Sequence, residues 1–248
     1  MAEPPIYDTI GKGYASQRRA DPRIAAQILE AVGDARTVLN VGAGTGNYEP
    51  TDRPVVALEP SIEMLAQRTN GNPAVRGVAE ALPFPDGAFD CTLGTFTVHH
   101  WEDRLTGLRE VARVSRRQVL LVYEPVASSG FWLAEYFPGI ALAPWEGDAP
   151  TVDTLAQVLT VTESQPIRVP PDCTDGFMGA YWCRPEYYLR HEVHRSISSL
   201  AILDHEERRD GIARLAADLE SGVWERRNGQ LLDEPWFDLG YRLAVCAT

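Results

Sequence analysis

The stretch 38–50, VLNVGAGTGNYEP, is an apolar run ending in three glycines set two apart, Gly42, Gly44 and Gly46. A glycine loop at the end of a strand lets a ligand approach the backbone closely. A dinucleotide loop would need G-x-G-x-x-G, and Asn47 stands where its third glycine belongs. A Walker loop is excluded because no GK[ST] follows. Pro50 and Pro54 leave no long helix whose N-terminus could receive a phosphate. The loop therefore admits close backbone contact but lacks the phosphate apparatus.

Outward from this loop, the chain alternates between helical and strand patterns from residue 22 to about 124. DPRIAAQILEAVG reads as a helix capped by Asp21, with Pro22 at its first position, Ile24, Ile28 and Leu29 on one face, and Gly33 at its end. Strands are expected at Thr37–Val41, at Val55–Leu58, in AFDCTLGTF and in QVLLVYEP. Between them lie a helix capped by Ser61 and another with Leu105, Leu108 and Ala112 facing inward. Strands that alternate with helices, and that are apolar throughout, imply a parallel sheet covered on both faces.

After Glu124 the rhythm breaks into aromatic, glycine- and proline-rich sequence. TVDTLAQVLT looks helical and VTESQPIRV looks like a strand. A helix with Ile212, Leu215, Ala216 and Leu219 on one face follows, closed by Gly222. The ending DLGYRLAVCAT alternates Leu239, Tyr241, Leu243 and Val245, as in a strand with one buried face, antiparallel to its neighbours.

Glu59 stands at the tip of the second strand. In an open α/β sheet an acid there can accept hydrogen bonds from both hydroxyls of a ribose. It could also be a surface acid before the helix that Pro60 and Ser61 begin; the glycine loop in front of it favours the ribose.

Composition narrows the partners. The 248 residues are 44% hydrophobic and 23% charged, enough apolar material for a substantial core. The net charge of -12, with Lys12 the single lysine, argues against a nucleic-acid substrate. No apolar run approaches the roughly 18–20 residues needed to cross a membrane. The first residues lack the layout of a signal peptide, so a cytoplasmic location is expected. Cys91 and Cys246 sit in apolar runs and read as reduced core residues. Cys173 and Cys183 could pair, but a cytosolic setting argues against it.

Four segments together, VLNVGAGTG, VVALEPS, GVAEALPFPDGAFD and TVHHWEDRLTGLREVARV, resemble the class I S-adenosylmethionine-dependent methyltransferases. The branch with the ubiquinone/menaquinone-type and many small-molecule enzymes is the one they resemble most. The resemblance covers residues 7 to 124. It implies a Rossmann-like, mostly parallel seven-stranded α/β sheet with helices on both faces and an inserted lid. The expected organisation is a single domain over 1–248. Residues 1–21 form an N-terminal lid segment, 22–124 the cofactor-binding core, 125–205 the lid and substrate insertion, and 206–248 the C-terminal helix and last strand.

By the same resemblance the cofactor is S-adenosyl-L-methionine. Gly42, Ala43 and Gly44 would lie against its amino-acid part, Glu59 would bind its ribose, and Pro60 and Met64 would flank its adenine. Ala79 and Glu80 would meet the adenine edge, and Thr95 and Phe96 the methionine moiety. Tyr14 and Arg19 resemble residues that close over the cofactor and meet its carboxylate. Two positions depart from the pattern. Asn40 stands where the family usually has an acid that helps hold the cofactor's ammonium group, and Val78 where an acid often receives the adenine amino group.

Methyl transfer needs a base only when the acceptor must lose a proton. His99 and His100, at the sheet's C-terminal edge, suit proton removal near neutral pH. They could equally pack or cap an ordinary strand-to-helix turn. Glu124, at the next strand tip, is another candidate. His191 and His194 lie three apart, but no third ligand stands at motif spacing, so no metal is expected. Phe131, Trp132, Tyr136, Phe137, Trp145, Phe177, Tyr181, Trp182, Tyr187 and Tyr188 read as lid core over the crevice. Such a lid encloses a small, hydrophobic or aromatic acceptor methylated on O, N or C.

The expected partner is thus a small molecule, with no nucleic acid and no membrane. Two other readings stay open. One is a non-methylating relative that binds S-adenosylmethionine structurally or acts as a ligand-binding protein. The other is an NAD(P)-dependent oxidoreductase, which the glycine spacing and the prolines disfavour.

Overall fold

The computed structural model describes residues 5, 7–11, 14, 18–124, 131–142 and 149–248. Seven strands form one sheet: β1 (Val38–Val41), β2 (Val55–Glu59), β3 (Ala74–Arg76), β4 (Phe89–Thr95), β5 (Ser115–Tyr123), β6 (Thr160–Pro166) and β7 (Tyr241–Ala247). Their order is β3-β2-β1-β4-β5-β7-β6. The first five are parallel, and β7 runs antiparallel to both β5 and β6. The expected Rossmann-like, mostly parallel seven-stranded sheet is therefore present. The order reverses between β1 and β4, which opens a crevice at the carboxyl ends of these strands.

Alternation along the strands divides the core in two. Val38, Val55, Leu93, Val119, Leu121 and Leu243 pack into one apolar cluster with the helix Pro22–Val32 and the lid aromatics. Leu39, Leu58, Leu120, Val122, Ala244 and Cys246 face the other cluster, against the helix Arg104–Val114. Strands buried on both faces need such continuous apolar runs.

Local signals set the helix ends, at Asp21, Pro22, Gly33 and Ser61 as expected. Asp21 accepts the Arg23 N–H, Pro22 opens the helix, and Gly33, at φ 65°, closes it. Ser61 caps Ile62–Ala66 by accepting the Met64 N–H. Thr151 caps the short helix Val152–Ala156, and Asp204 caps the helix His205–Glu220.

Several expectations need correcting. Leu29 is 39% exposed; Ala31 and Val32 take its place on the buried face of its helix. On Arg104–Val114 the buried residues are Gly107, Leu108, Val111 and Val114, with Leu105 and Ala112 only partly covered. β7 is buried on both faces over Leu243–Cys246, not on one, because it lies between β5 and β6 with helices on either side. Of the seven expected strands, β3 has no local sequence signal, because its three residues, with Ala74 and Arg76 exposed, carry no periodicity. The segment 152–166, inside the expected lid, supplies a helix and the edge strand β6 and is therefore part of the sheet layer.

The lid aromatics Phe131, Trp132, Tyr136, Phe137, Phe177, Tyr181, Trp182 and Tyr188 are buried, and Tyr187 packs against them. Trp145 lies outside the described residues. All four cysteines are free thiols. Among the described residues no helix is long and apolar enough to cross a membrane.

Candidate active site

The glycine loop folds back on the tip of β2. Gly42, Gly44 and Gly46 all have positive φ, at 65°, 52° and 87°. A Cβ on Gly42 would lie 1.7 Å from Thr97 Oγ1, so only glycine fits there. The Gly44 N–H donates to Glu59 Oε2 at 2.8 Å, and the Ser61 N–H to Oε1 at 2.9 Å. Glu59 is 5% exposed, and burial pushes its pKa up against the two backbone hydrogen bonds. Each carboxylate oxygen still has a lone pair for a hydroxyl donor.

This carboxylate lines a cavity of about 340 Å³, within the usual range for small-molecule sites. Of the residues expected to hold a cofactor, Tyr14, Gly42, Ala43, Gly44, Glu59, Pro60, Met64, Ala79, Glu80, Thr95 and Phe96 all line it. The Glu80 carboxylate also accepts the Asp103 N–H. Val78 lies on the rim, 46% exposed. The remaining two expected residues do not line the cavity. Asn40 is buried behind the loop, its Nδ2 donating to Glu49. Arg19 is exposed, and its neighbour Arg18 takes the cavity wall instead.

Arg18 is 8% exposed and bonds Asp175 of the lid twice, Nε to Oδ1 at 2.6 Å and Nη2 to Oδ2 at 3.2 Å. Its Nη1 donates to the Tyr14 hydroxyl. The Tyr48 hydroxyl, next to the glycine loop, donates to Asp175 Oδ2 at 2.8 Å. Asp21, hydrogen-bonded by Arg23 and the Thr174 N–H, strengthens the same seam; although burial opposes ionisation, these bonds hold its carboxyl at about 2. The N-terminal segment is also tied to the helix after β2. Ser61 Oγ donates to Asp8 Oδ1 at 2.6 Å, and Gln67 Nε2 to the Gly11 carbonyl at 2.8 Å.

A second cavity, of about 90 Å³, lies under the lid. Tyr7, Tyr14, Arg18 and Phe96 line both cavities and form their common wall. Phe96 has φ 53°, a left-handed conformation rare for a bulky residue and typical of functional sites. Its ring stacks on Phe177 of the lid at 5.1 Å and meets Tyr241 edge-on at 5.5 Å. Leu121, Met178 and Ile197 supply aliphatic surface, and Ser196, Ser198 and Ser199 hydroxyl groups.

The 3-10 turn Val98–His100 after β4 separates the two histidines. His99 lines the smaller cavity and His100 the larger. Their rings are 4.0 Å apart, and His100 Nε2 lies 3.2 Å from the Tyr7 hydroxyl. Burial holds His99 well below its ordinary pKa, helped by His100 and Arg104, and brings His100 down to about 4. Both imidazoles are neutral at pH 7.

The other candidate groups stand elsewhere. Glu124 lines neither cavity; its carboxylate accepts the Val152 N–H at 3.0 Å and anchors a helix start. His191 is exposed, whereas His194 is buried and bonded to the Tyr188 carbonyl, so the two share no face. Among the described residues no group of three or more His, Cys, Asp or Glu could hold a metal ion. Arg18, Asp175, Tyr48 and Tyr7 escaped the sequence reading. Their one linear signal was an acid, Asp175, in an aromatic segment.

The cavity suits a nucleoside with an amino-acid arm. Glu59 offers lone pairs for a ribose, Met64 and Ala79 offer apolar surface, and the glycines leave the backbone open beside them. Residues 39–123 match the model of a methyltransferase domain. A solved structure from Anabaena variabilis, described as a candidate methyltransferase of an antibiotic biosynthesis pathway, is 30% identical with a TM-score of 0.85. The alignment covers 94% of this chain and 99% of that one. A demethylmenaquinone methyltransferase of Corynebacterium kroppenstedtii is 28% identical over 44% of this chain and 53% of its own length. A rice 2-methyl-6-phytyl-1,4-hydroquinone methyltransferase is 29% identical over 53% of this chain and 43% of its own. The chain thus spans about half the length of these curated relatives. The coverage of the Anabaena protein, together with the sheet order and the glycine–Glu59 site, leads to one conclusion: the chain belongs to the class I S-adenosylmethionine-dependent methyltransferases.

Proposed function

We propose that this chain binds S-adenosyl-L-methionine in the larger cavity and methylates an O, N or C atom of a small hydrophobic or aromatic molecule in the smaller one. The observation that carries this reading is the wall of Tyr7, Tyr14, Arg18 and Phe96 common to both cavities. It supports an acceptor site beside the glycine–Glu59 site, next to the aromatic ring of Phe177. The net charge of -12 supports a small-molecule partner over nucleic acid.

When bound, the cofactor supplies an electrophilic methyl group for in-line displacement. The chain's own task is then orientation and exclusion of water. Glu59 Oε1 and Oε2 accept ribose hydroxyls, and Gly42, Ala43 and Gly44 let the amino-acid arm lie against the backbone. Met64 and Ala79 cover the base. Phe96 and Phe177 exclude water from the acceptor side. Where the acceptor has a proton to lose, the imidazole of His99 lines the acceptor cavity and is placed to receive it, as a weak base because burial disfavours its charged form.

Calorimetric titration with S-adenosylmethionine, S-adenosylhomocysteine and NAD tests the cofactor. Binding of NAD without the adenosyl compounds overturns the reading. Incubation with methyl-labelled cofactor and fractionated small-molecule extracts, read by mass spectrometry, tests the acceptor. Label transferred to protein or nucleic acid, and to no small molecule, overturns that part.

A further inference from the structure

Behind the glycine loop lies a buried polar cluster with no part in the scheme above. Asn40, 3% exposed on β1, donates Nδ2 to Glu49 Oε1 at 3.0 Å. Its Oδ1 is buried with no hydrogen-bond partner among the described residues. Glu49 is 8% exposed and engaged on both oxygens. Arg68 Nη2 donates to each at 2.8 Å, while Asn70 Nδ2 and Asn72 Nδ2 donate to Oε2 at 2.6 and 2.8 Å. Arg68 also donates Nη1 to the Gly44 carbonyl at 3.2 Å.

The Gly44 peptide region is therefore held from two sides. Its N–H goes to Glu59, and its carbonyl to an arginine that Glu49 fixes in place. A Cβ on Gly46 would lie 2.4 Å from Asn70 Nδ2, so the loop rests directly on this cluster. An aspartate at position 40 would face the Glu49 carboxylate across the 3.0 Å contact. Two buried carboxylates at that distance repel each other and lose the hydrogen bond that the amide donates. The amide at position 40 is thus the partner that Glu49 requires.

We infer that Glu49, through Arg68 and Asn40, is a positioning residue for the amino-acid arm of the cofactor. The negative charge beneath the loop resides at position 49 and not at position 40. This inference rests on the proposed use of S-adenosylmethionine.

The test is calorimetric titration of the full chain with two probes. S-adenosylhomocysteine carries the amino-acid arm; 5′-methylthioadenosine keeps the nucleoside and sulfur but lacks it. Wild type is expected to bind both. Glu49→Gln is expected to weaken S-adenosylhomocysteine about tenfold and 5′-methylthioadenosine by less than about twofold. Asn40→Asp is expected to weaken S-adenosylhomocysteine similarly. The double variant Asn40→Asp/Glu49→Gln, with the charge moved across the same contact, should return to within about threefold of wild type. Melting curves verify folding; if Glu49→Gln does not fold, the comparison of Asn40→Asp with the double variant decides. Equal loss for both probes, or a double variant no better than its weaker parent, overturns the role of Glu49. A wild type that binds neither probe overturns the cofactor reading itself.

Discussion

Arg18 and Asp175 stand 157 positions apart in the sequence and form a two-point ion pair, Nε–Oδ1 at 2.6 Å and Nη2–Oδ2 at 3.2 Å. Their side chains are 9% and 0% exposed. The pair joins the N-terminal segment to the lid beside the wall between the cavities. Removing one partner of such a buried pair strands the other charge, so Asp175→Asn should cost about 3 kcal/mol. The double variant Arg18→Met/Asp175→Leu should cost less than Asp175→Asn alone. Exposed Arg19→Ala should stay within about 0.5 kcal/mol of wild type. Urea unfolding checks all three.

Glu59 keeps one lone pair per oxygen for a ribose hydroxyl beyond its bonds to Gly44 and Ser61. Glu59→Ala should weaken S-adenosylmethionine at least about tenfold, or about 1.4 kcal/mol, in calorimetric titration. An affinity equal to wild type would remove Glu59 from the site.

Gly42 combines a φ of 65° with a Cβ position 1.7 Å from Thr97 Oγ1. Gly42→Ala should destabilise the protein by about 2 kcal/mol or more, since both strain and clash act at once. Thr97→Ser removes the methyl but leaves the clashing oxygen, so it should not rescue Gly42→Ala. Thermal melts of the single and double variants test this.

Stability should also fall with acid through the paired histidines. Their folded pKa lies below the ordinary 6.5, with His100 at about 4, so the unfolded chain binds protons first as pH drops. Stability is full above the ordinary histidine range and is lost progressively as pH falls from about 7 towards 4. His100→Phe should flatten this part of the curve, measured as melting temperature against pH. A slope as steep as wild type would mean that His100 is not held neutral.

What was legible in the sequence was carried by neighbours within a few residues. The caps Asp21 and Ser61 each bond an N–H two or three positions on. The glycine loop and Glu59 were readable because strand, loop and strand tip follow one another in a fixed local order. The resemblance points to Arg19, but it does not resolve which of two adjacent arginines turns inward, and Arg18 does. Glu124 looked like a base at a strand tip, yet the helix that returns at Val152 claims its carboxylate. The two buried faces of β7 depend on β6 pairing outside it, which alternation within β7 does not report.

The sequence by itself determined the parallel sheet, the ligand crevice beyond β1 and the acid that stands there, because each follows from local periodicity and the sterics of glycine. Only the tertiary structure decided which groups share a wall. Arg18 meets Asp175, Phe96 stacks on Phe177, and Asn40 gives its amide to Glu49 under the loop. Buried charges and rings need partners wherever the folded chain brings them, and that choice is made by packing across the whole molecule.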